Sequence, residues 1–210
     1  MLIAFLGGTG RLGRALLKRC SQAGFTTVVG TRDVAAAGKL IAEMQQQSPM
    51  LPSIEIMDYA AAVEKAAIVF ITIPFPESRA VACALAPLLS GKILIDASVP
   101  MLLNQGLASC SAVATTQTLL GAQVHVVSAF QTIAAALLHQ DNLKITANVL
   151  ITGNNMNACQ QVMEVVHAMG LQGIYCGSIE HSLTSENLAI TLMGINRHYQ
   201  SSCAGVEISL

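Results

Sequence analysis

A cluster of glycines near the start of the chain has the spacing of a phosphate-binding turn. Residues 7–13 read GGTGRLG and contain the pattern G-x-G-x-x-G from Gly8 to Gly13. In such a motif we expect Gly8 to permit a tight turn, Gly10 to let the backbone approach a pyrophosphate, and Gly13 to let the next helix pack against the strand. The N–H groups and the positive dipole end at the start of that helix then bind the phosphates. The alternative is a glycine-rich turn that binds nothing.

The residues on either side supply the context that this motif requires. The apolar run Leu2–Leu6 predicts a first strand, and apolar residues then recur at the helical period on one face: Leu12, Ala15, Leu16, Cys20 and Ala23. Gly24 predicts the end of that helix, and residues 25–30 predict a second strand. Strand, glycine turn, helix and strand in this order are typical of a dinucleotide-binding unit, which favours phosphate binding over an empty turn.

The residues after the second predicted strand bear on the choice of cofactor. An NAD site usually has Asp or Glu here to accept a hydrogen bond from the ribose 2′-OH, whereas this chain has Thr31 and Arg32. A hydroxyl and a guanidinium suit a 2′-phosphate, which Arg can bind through two parallel hydrogen bonds. The sequence therefore favours NADP over NAD. Asp33 leaves the other interpretation open, because it either faces a ribose or caps the next helix.

Strands and helices alternate through most of the remaining chain. Strands are predicted at residues 54–57, 67–73, 92–96, 124–130, 148–152 and 174–176, and helices at 34–47, 59–65, 77–89, 157–169 and 186–199. Asp58 is a plausible N-cap of the helix that follows it. Residues 104–123 are ambiguous, with a helix from about Thr115, and residues 134–138 read as a helical start.

This alternation predicts an α/β fold of the Rossmann type. We expect a doubly wound, mostly parallel sheet with a smaller C-terminal α/β part. Residues 1–135 then form a dinucleotide-binding domain, and residues 136–210 form the smaller part, packed on it as one compact unit.

Two further loops are expected at the ligand-binding edge of this sheet. Residues 67–73 are apolar on both faces, as a parallel strand covered by helices is. Residues 72–76 form the carboxyl end of that strand, and residues 98–100 follow the next one. Ligands of open α/β sheets bind outside the carboxyl ends of the strands, so residues 72–76 are predicted to contact the cofactor. A plain strand-to-helix turn is the alternative.

The composition bears on partners and location. The net charge of −1 gives no electrostatic basis for binding nucleic acid. Only 11% of the residues are charged while 53% are hydrophobic, so we expect a second copy of the chain to cover part of the surface in a homodimer. No apolar run reaches the length of a membrane span, and we read no signal peptide. The 6 cysteines are scattered without C-x-x-C, which predicts a cytoplasmic chain without disulfides or a metal site.

The chain also resembles a known family, the NADPH-dependent reductases of the 5-deazaflavin coenzyme F420. The matching segments are LGGTGRLG at residues 6–13, VVGTRD at 28–33, ITIP at 71–74, LLSGKILID at 88–96, VVSAF at 126–130 and INRHY at 195–199. The last segment is the most informative, because many dehydrogenases share the glycine motif. The cytosolic domain of the six-transmembrane metalloreductases is similar too.

The resemblance implies a set of cofactor-binding residues. The residues around Gly8 are implied to contact the pyrophosphate of NADP, namely Thr9, Gly10, Arg11 and Leu12. Thr31 and Arg32 are implied to hold the 2′-phosphate. Ile73, Val99 and Ala134 are implied to lie beside the nicotinamide, with Pro74 in the loop after Ile73. The chain departs from the family at two positions. Ala36 stands where members often have a further basic residue, which Lys39 would have to replace, and Gln131 stands where members often have His or Asn.

The chemistry that the resemblance implies needs few side chains. A hydride passes directly between nicotinamide C4 and deazaflavin C5, so catalysis consists mainly of positioning two rings. No residue is therefore predicted as catalytic, and the sequence lacks Tyr-x-x-x-Lys, G-x-S-x-G and H-E-x-x-H. Two other functions stay open: an NADPH-dependent reductase of another small acceptor, and a non-catalytic protein that senses NADP(H).

Overall fold

The computed structural model of the protein describes residues 1–100, 107–140 and 144–209. Strands within these ranges are β1 (Leu2–Leu6), β2 (Thr26–Gly30), β3 (Glu55–Met57), β4 (Ile68–Ile71), β5 (Ile93–Asp96), β6 (His125–Ser128), β7 (Asn148–Gly153) and β8 (Gln172–Tyr175). They form one 8-stranded sheet in the order β3-β2-β1-β4-β5-β6-β7-β8.

Neighbouring strands of this sheet are parallel, except for the antiparallel pair β6 and β7. The chain runs from β1 outward to β3 and then returns to β4 on the other side of β1. The strand order therefore reverses between β1 and β4, and such a switch point opens a crevice at the carboxyl ends of the strands. The predicted Rossmann-type, mostly parallel sheet is confirmed.

Helices cover both faces of the sheet. The helices of the described ranges are α1 (Arg11–Gln22), α2 (Val34–Gln47), α3 (Tyr59–Lys65), α4 (Glu77–Ala84), α5 (Ala86–Leu89), α6 (Ala112–Leu120), α7 (Ala135–Leu138), α8 (Met156–Ala168) and α9 (Ser182–His198). One apolar core lies on the side of α1, α2, α7 and α8, and contains Leu16, Ile41, Leu138 and Val162. A second core lies on the side of α3 to α6 and contains Val63, Leu89 and Val113.

Side-chain caps fix the starts of several helices. Asp58 Oδ1 accepts a hydrogen bond from the N–H of Ala61 at 2.9 Å, which confirms Asp58 as the N-cap of α3. Ser111 Oγ accepts one from the N–H of Ala114 at 2.9 Å. Because Ser111 satisfies a first-turn donor, α6 begins at Ala112, a few residues before the predicted start at about Thr115.

Two predicted helices have different bounds in the structure. The helix predicted over residues 77–89 is divided at Leu85, since Pro87 lies in the first turn of α5 and has no N–H to continue the hydrogen-bond ladder. The last helix begins at Ser182, before the predicted start at Glu186, and follows a 3₁₀ turn at Ile179–His181. The ambiguous segment 104–123 begins with residues 104–106, which lie outside the described residues.

The C-terminal part of the chain extends the same sheet. Ser128 of β6 pairs with Thr152 of β7, and β7 pairs with β8. The division into a domain over residues 1–135 and a smaller part over residues 136–210 stays a prediction.

Candidate functional site

A cavity of about 550 Å³ opens at the carboxyl ends of the central strands. Its walls come from the start of α1, the loops after β4 and β5, the segment after β6, and α9. Of the residues predicted to bind the cofactor, it brings together Arg11, Leu12, Ile73, Pro74, Val99 and Ala134. The others, Gly8, Thr9, Gly10, Thr31 and Arg32, lie in the turns after β1 and β2, at the same edge of the sheet.

The glycine turn places backbone where side chains cannot fit. The tight turn lies at Gly7, with a φ of +89°, and not at Gly8 as expected from the motif. A Cβ on Gly8 would crowd Phe5 Cβ at 3.1 Å and Val29 Cγ2 at 3.2 Å, so Gly8 is required by packing beneath the turn. A Cβ on Gly13 would lie 2.6 Å from Thr72 Oγ1, in keeping with the predicted close approach of α1 to the strands.

Gly10 differs from these glycines because space is open in front of it. A Cβ there would meet only the Gly7 carbonyl oxygen, at 3.3 Å, among the described residues. Gly10 is the N-cap of α1 and provides no side-chain cap. Arg14 donates the first backbone hydrogen bond of the helix to the Gly10 carbonyl at 2.9 Å, so the N–H groups of the first turn have no partner within the helix. The exposed turn can therefore accept an anion.

The turn after β2 resolves the role of one residue. Asp33 Oδ1 accepts a hydrogen bond from the N–H of Ala36 at 2.9 Å, so Asp33 caps α2, as one of the two interpretations held. Thr31 Oγ1 accepts a bond from the N–H of Asp33 at 3.2 Å, which tightens the turn. The Arg32 side chain is exposed, and within the described ranges no hydrogen bond or ion pair engages it. A guanidinium in this position is available for a phosphate.

Polar residues in the cavity wall and beneath it are connected by hydrogen bonds that the sequence did not predict. Ser98 donates its N–H to Asp96 Oδ1 at 2.8 Å, and Gln131 donates Nε2–H to the Asp96 carbonyl oxygen at 2.8 Å. Asp96 is 1% exposed, and burial raises the pKa of its carboxyl to about 6. No motif pointed to Asp96, because an Asp at a strand end is usually a turn residue.

Gln131 has a buried acceptor that faces no partner. Because Nε2 is held by the Asp96 carbonyl, the amide has one orientation, and its Oε1 finds no hydrogen-bond donor among the described residues. Gln131 is 8% exposed and lines the cavity. The preceding residue, Phe130, is buried with a φ of +74°, which is uncommon for a residue other than glycine. Such strained backbone is concentrated at functional sites.

None of the helices in the described part of the chain has the length and apolarity needed to cross a membrane. The same residues contain no group of three or more His, Cys, Asp or Glu side chains arranged to hold a metal ion.

A doubly wound sheet with a glycine turn at its switch point and a cavity beside that turn defines a dinucleotide-binding protein of the Rossmann class. The family described as NADP oxidoreductase, coenzyme F420-dependent, matches residues 2–100. The F420-dependent NADP reductase of Methanothermobacter marburgensis is 28% identical over 223 residues, which cover 100% of this chain and 98% of that protein. The first part of the chain therefore resembles the coenzyme F420-dependent NADP oxidoreductases, and F420-dependent NADP reductases are 26–28% identical to it over its whole length.

Two other similarities extend this comparison. The rat metalloreductase STEAP3 is 29% identical over 186 residues, which cover 89% of this chain and 36% of that protein. A crystal structure from Arthrobacter sp. FB24, assigned as an F420-dependent NADP reductase, has a TM-score of 0.84 with 24% identity, and 99% of each chain is covered. At that level of identity the structural match supports the fold.

Proposed function

We propose that the protein is an oxidoreductase that transfers a hydride between NADP(H) and the ring of a deazaflavin, coenzyme F420. The match of the family model to residues 2–100 and the whole-length similarity to three F420-dependent NADP reductases support this function. NADPH supplies the hydride when the ring is reduced. The protein binds the two rings, orients them and excludes water.

The glycine turn and the turn after β2 fit the two phosphate groups of NADP. The open space at Gly10 and the first-turn N–H groups of α1 are suited to the pyrophosphate, with Gly8, Thr9, Arg11 and Leu12 around it. Thr31 and the exposed Arg32 are suited to the 2′-phosphate. Ile73, Pro74, Val99 and Ala134 then form the walls beside the nicotinamide.

The observation that carries the proposal is the cavity next to the glycine turn. Its volume of about 550 Å³ is in the range of sites for small organic molecules, and apolar side chains line much of it. The buried Gln131 Oε1 is an acceptor that costs roughly 1–3 kcal/mol while it lacks a donor. We propose that an N–H on the pyrimidine edge of the deazaflavin donates to it.

We further propose that the protein is a homodimer and that it acts in the cytoplasm. Three apolar side chains of α9 and its C-terminal end are exposed: Met193, which lines the cavity, Ile195 and Tyr199. A second copy that covers this helix would remove them from water. The six cysteines are scattered without C-x-x-C, a pattern that fits a reducing compartment.

The test is a direct assay of hydride transfer. NADPH is mixed with oxidised F420, and the absorbance of the oxidised ring is followed, with NADH, FMN and FAD in parallel mixtures. We expect NADPH and F420 to be the fastest pair. Reduction of FMN but not of F420 would support a reductase of another acceptor. Tight NADPH binding without reduction of any ring would support a sensing protein.

A substitution of Gln131 tests the proposed contact to the ring. Gln131→Met keeps a side chain of similar length and removes the acceptor, together with the Nε2 donor that bonds the Asp96 carbonyl. We expect the KM for the ring to rise about tenfold, as is typical of a lost hydrogen bond, while the Kd for NADP stays unchanged. An unchanged KM would contradict the contact.

A further inference from the structure

Asp96 is a buried carboxyl that the binding of NADP does not explain. It stands at the carboxyl end of β5 with 1% of its surface exposed. The Ser98 N–H donates a hydrogen bond to Asp96 Oδ1 at 2.8 Å, and the Ser98 hydroxyl lies close enough to this carboxyl to lower its pKa. The Asp96 carbonyl oxygen accepts the bond from Gln131. One residue beneath the cavity therefore holds both Ser98 and Gln131, two of the polar side chains in its wall.

Ser98 lies between this carboxyl and the cavity. It lines the cavity, although only 6% of the residue is exposed. A serine hydroxyl can donate one hydrogen bond and accept another at the same time. The Ser98 hydroxyl can therefore accept a proton from Asp96 on one side while it gives a proton to a bound molecule on the other.

The surroundings of Asp96 keep it able to gain and lose a proton near neutral pH. Burial is the main reason that the pKa of its carboxyl is raised to about 6, and the charge of Glu186 on α9 raises it further. The bonds from Ser98 act in the opposite direction. Among the described residues, the strand partners Ile71 and Ser128 and the whole of α6 carry no ionisable side chain facing it.

The reaction in the cavity requires such a proton. Reduction of a deazaflavin ring adds a hydride at carbon, with both electrons of the broken C–H bond of NADPH, and one proton at the ring nitrogen that becomes basic. We propose that Ser98 is a catalytic residue that passes this proton from Asp96 to the ring. The Ser98 O–H proton moves to the ring nitrogen, the Asp96 proton moves to the Ser98 oxygen, and solvent later returns one proton to the carboxylate.

The proposal rests on the proposed function and also predicts the reverse direction. When the reduced ring gives a hydride to NADP, the ring nitrogen loses a proton, which passes through Ser98 to the Asp96 carboxylate. Ring reduction therefore needs Asp96 protonated, and ring oxidation needs it ionised. The rate of the first reaction falls and the rate of the second rises as the pH increases through about 6.

The alternative role for Asp96 is structural, because its bond to the Ser98 N–H also fixes the turn after β5. Asp96→Asn separates the two roles. An Asn side chain keeps an oxygen that accepts from the Ser98 N–H, but it neither stores nor releases a proton in this pH range. Ser98→Ala keeps the backbone N–H and removes the hydroxyl, and Ser98→Thr restores a hydroxyl.

The experiment measures single-turnover reduction of F420 by NADPH, and oxidation of the reduced ring by NADP, between pH 4.5 and 8. Wild type is expected to show the two opposite pH dependences. Asp96→Asn and Ser98→Ala are expected to be about 100-fold slower at the optimum, with flat pH profiles in both directions. Ser98→Thr should recover most of the rate. NADP titration should give the same Kd for all of these proteins.

A second readout does not depend on activity. The ¹³C resonance of the Asp96 carboxyl in the free protein is expected to titrate near pH 6, and to shift to lower pH in Glu186→Gln, because a negative charge is removed from its vicinity. The pH profile of the rate should move in the same direction in that variant.

The failures of the two proposals are distinguishable. An active wild type whose pH dependence survives in Asp96→Asn refutes the proton relay alone. An Asp96 resonance that does not titrate between pH 4.5 and 8 also refutes the relay. A wild type that binds NADPH and reduces no ring refutes the proposed function, and the relay with it.

Discussion

Replacement of Gly10 separates cofactor binding from folding. The backbone of Gly10 has a φ of −72° and a ψ of 169°, which any L-residue adopts. A Cβ there would touch only the Gly7 carbonyl oxygen at 3.3 Å among the described residues. In Gly10→Val the new methyl groups therefore extend into the open space in front of the turn. We have proposed that the pyrophosphate of NADP occupies this space.

The expected magnitudes differ widely between binding and stability. Loss of a glycine N-cap costs about 1 kcal/mol, which lowers the Tm of a chain of this length by roughly 2–4 °C. Each hydrogen bond to a charged phosphate is worth about 1.5–3 kcal/mol. Displacement of the pyrophosphate breaks more than one of them, so we expect NADP to bind at least about 100-fold more weakly.

The assay combines calorimetric titration of NADP with thermal unfolding of the free protein, and two other glycines provide matched controls. Gly24 has a φ of +87°, and no atom of the described residues beyond its chain neighbours lies within 4 Å of the added Cβ. Gly24→Ala should therefore lose about 1–2 kcal/mol of stability and keep its affinity for NADP. Gly13→Ala should unfold at a much lower temperature, because its Cβ overlaps the Gly7 carbonyl and lies 2.6 Å from Thr72 Oγ1. Full affinity in Gly10→Val would show that the phosphates bind elsewhere.

Three further predictions concern charge, assembly and pH. Arg32→Ala should weaken NADPH binding about 10- to 100-fold and leave NADH binding unchanged; equal losses for both would refute the 2′-phosphate contact. Light scattering at low concentration should give the mass of a dimer, and Tyr199→Glu with Ile195→Glu should give a monomer. Burial raises the pKa of Asp96 from 3.8 to about 6, so its contribution to stability is full below pH 4 and is lost as the pH rises through 6. Denaturant unfolding should therefore show Asp96→Asn gaining about 3 kcal/mol of stability relative to wild type between pH 4 and pH 7.

The sequence predicted those features of the fold that depend on local chemistry. The central strands are runs of residues that are apolar on both faces. Asp58 caps its helix, as its residue type and its position before the helix predict. The start of α6 depends on a tertiary contact in addition to its local Ser111 cap. Glu186 of α9 accepts hydrogen bonds from Ser111 Oγ at 2.7 Å and from the N–H of Ala112 at 2.9 Å. Glu186 is fully buried against the first turn of α6, a different helix from its own. The residues around Glu186 in the sequence do not indicate this contact.

Some features of the candidate site could also be predicted from the sequence, whereas others depend on the tertiary structure. The glycine turn could be predicted because its backbone geometry demands particular residue types at fixed spacing. The position of the tight turn at Gly7 could not, since two adjacent glycines are equally permissive of a positive φ. Asp96 and Gln131 are 35 residues apart and meet only because β5 and β6 are neighbours in the sheet.

Asp96 also shows how a requirement of the site can oppose a requirement of the fold. A carboxyl with 1% exposure is more stable when protonated, so at neutral pH its ionised form reduces the stability of the folded state. An Asn or Ser at the end of β5 would make the same turn without that cost. Retention of the carboxylate is explained if its proton is used in the cavity. Asp96→Asn should then be the more stable and the slower protein at pH 7, and a variant that is both more stable and fully active would show that the carboxyl has no part in the reaction.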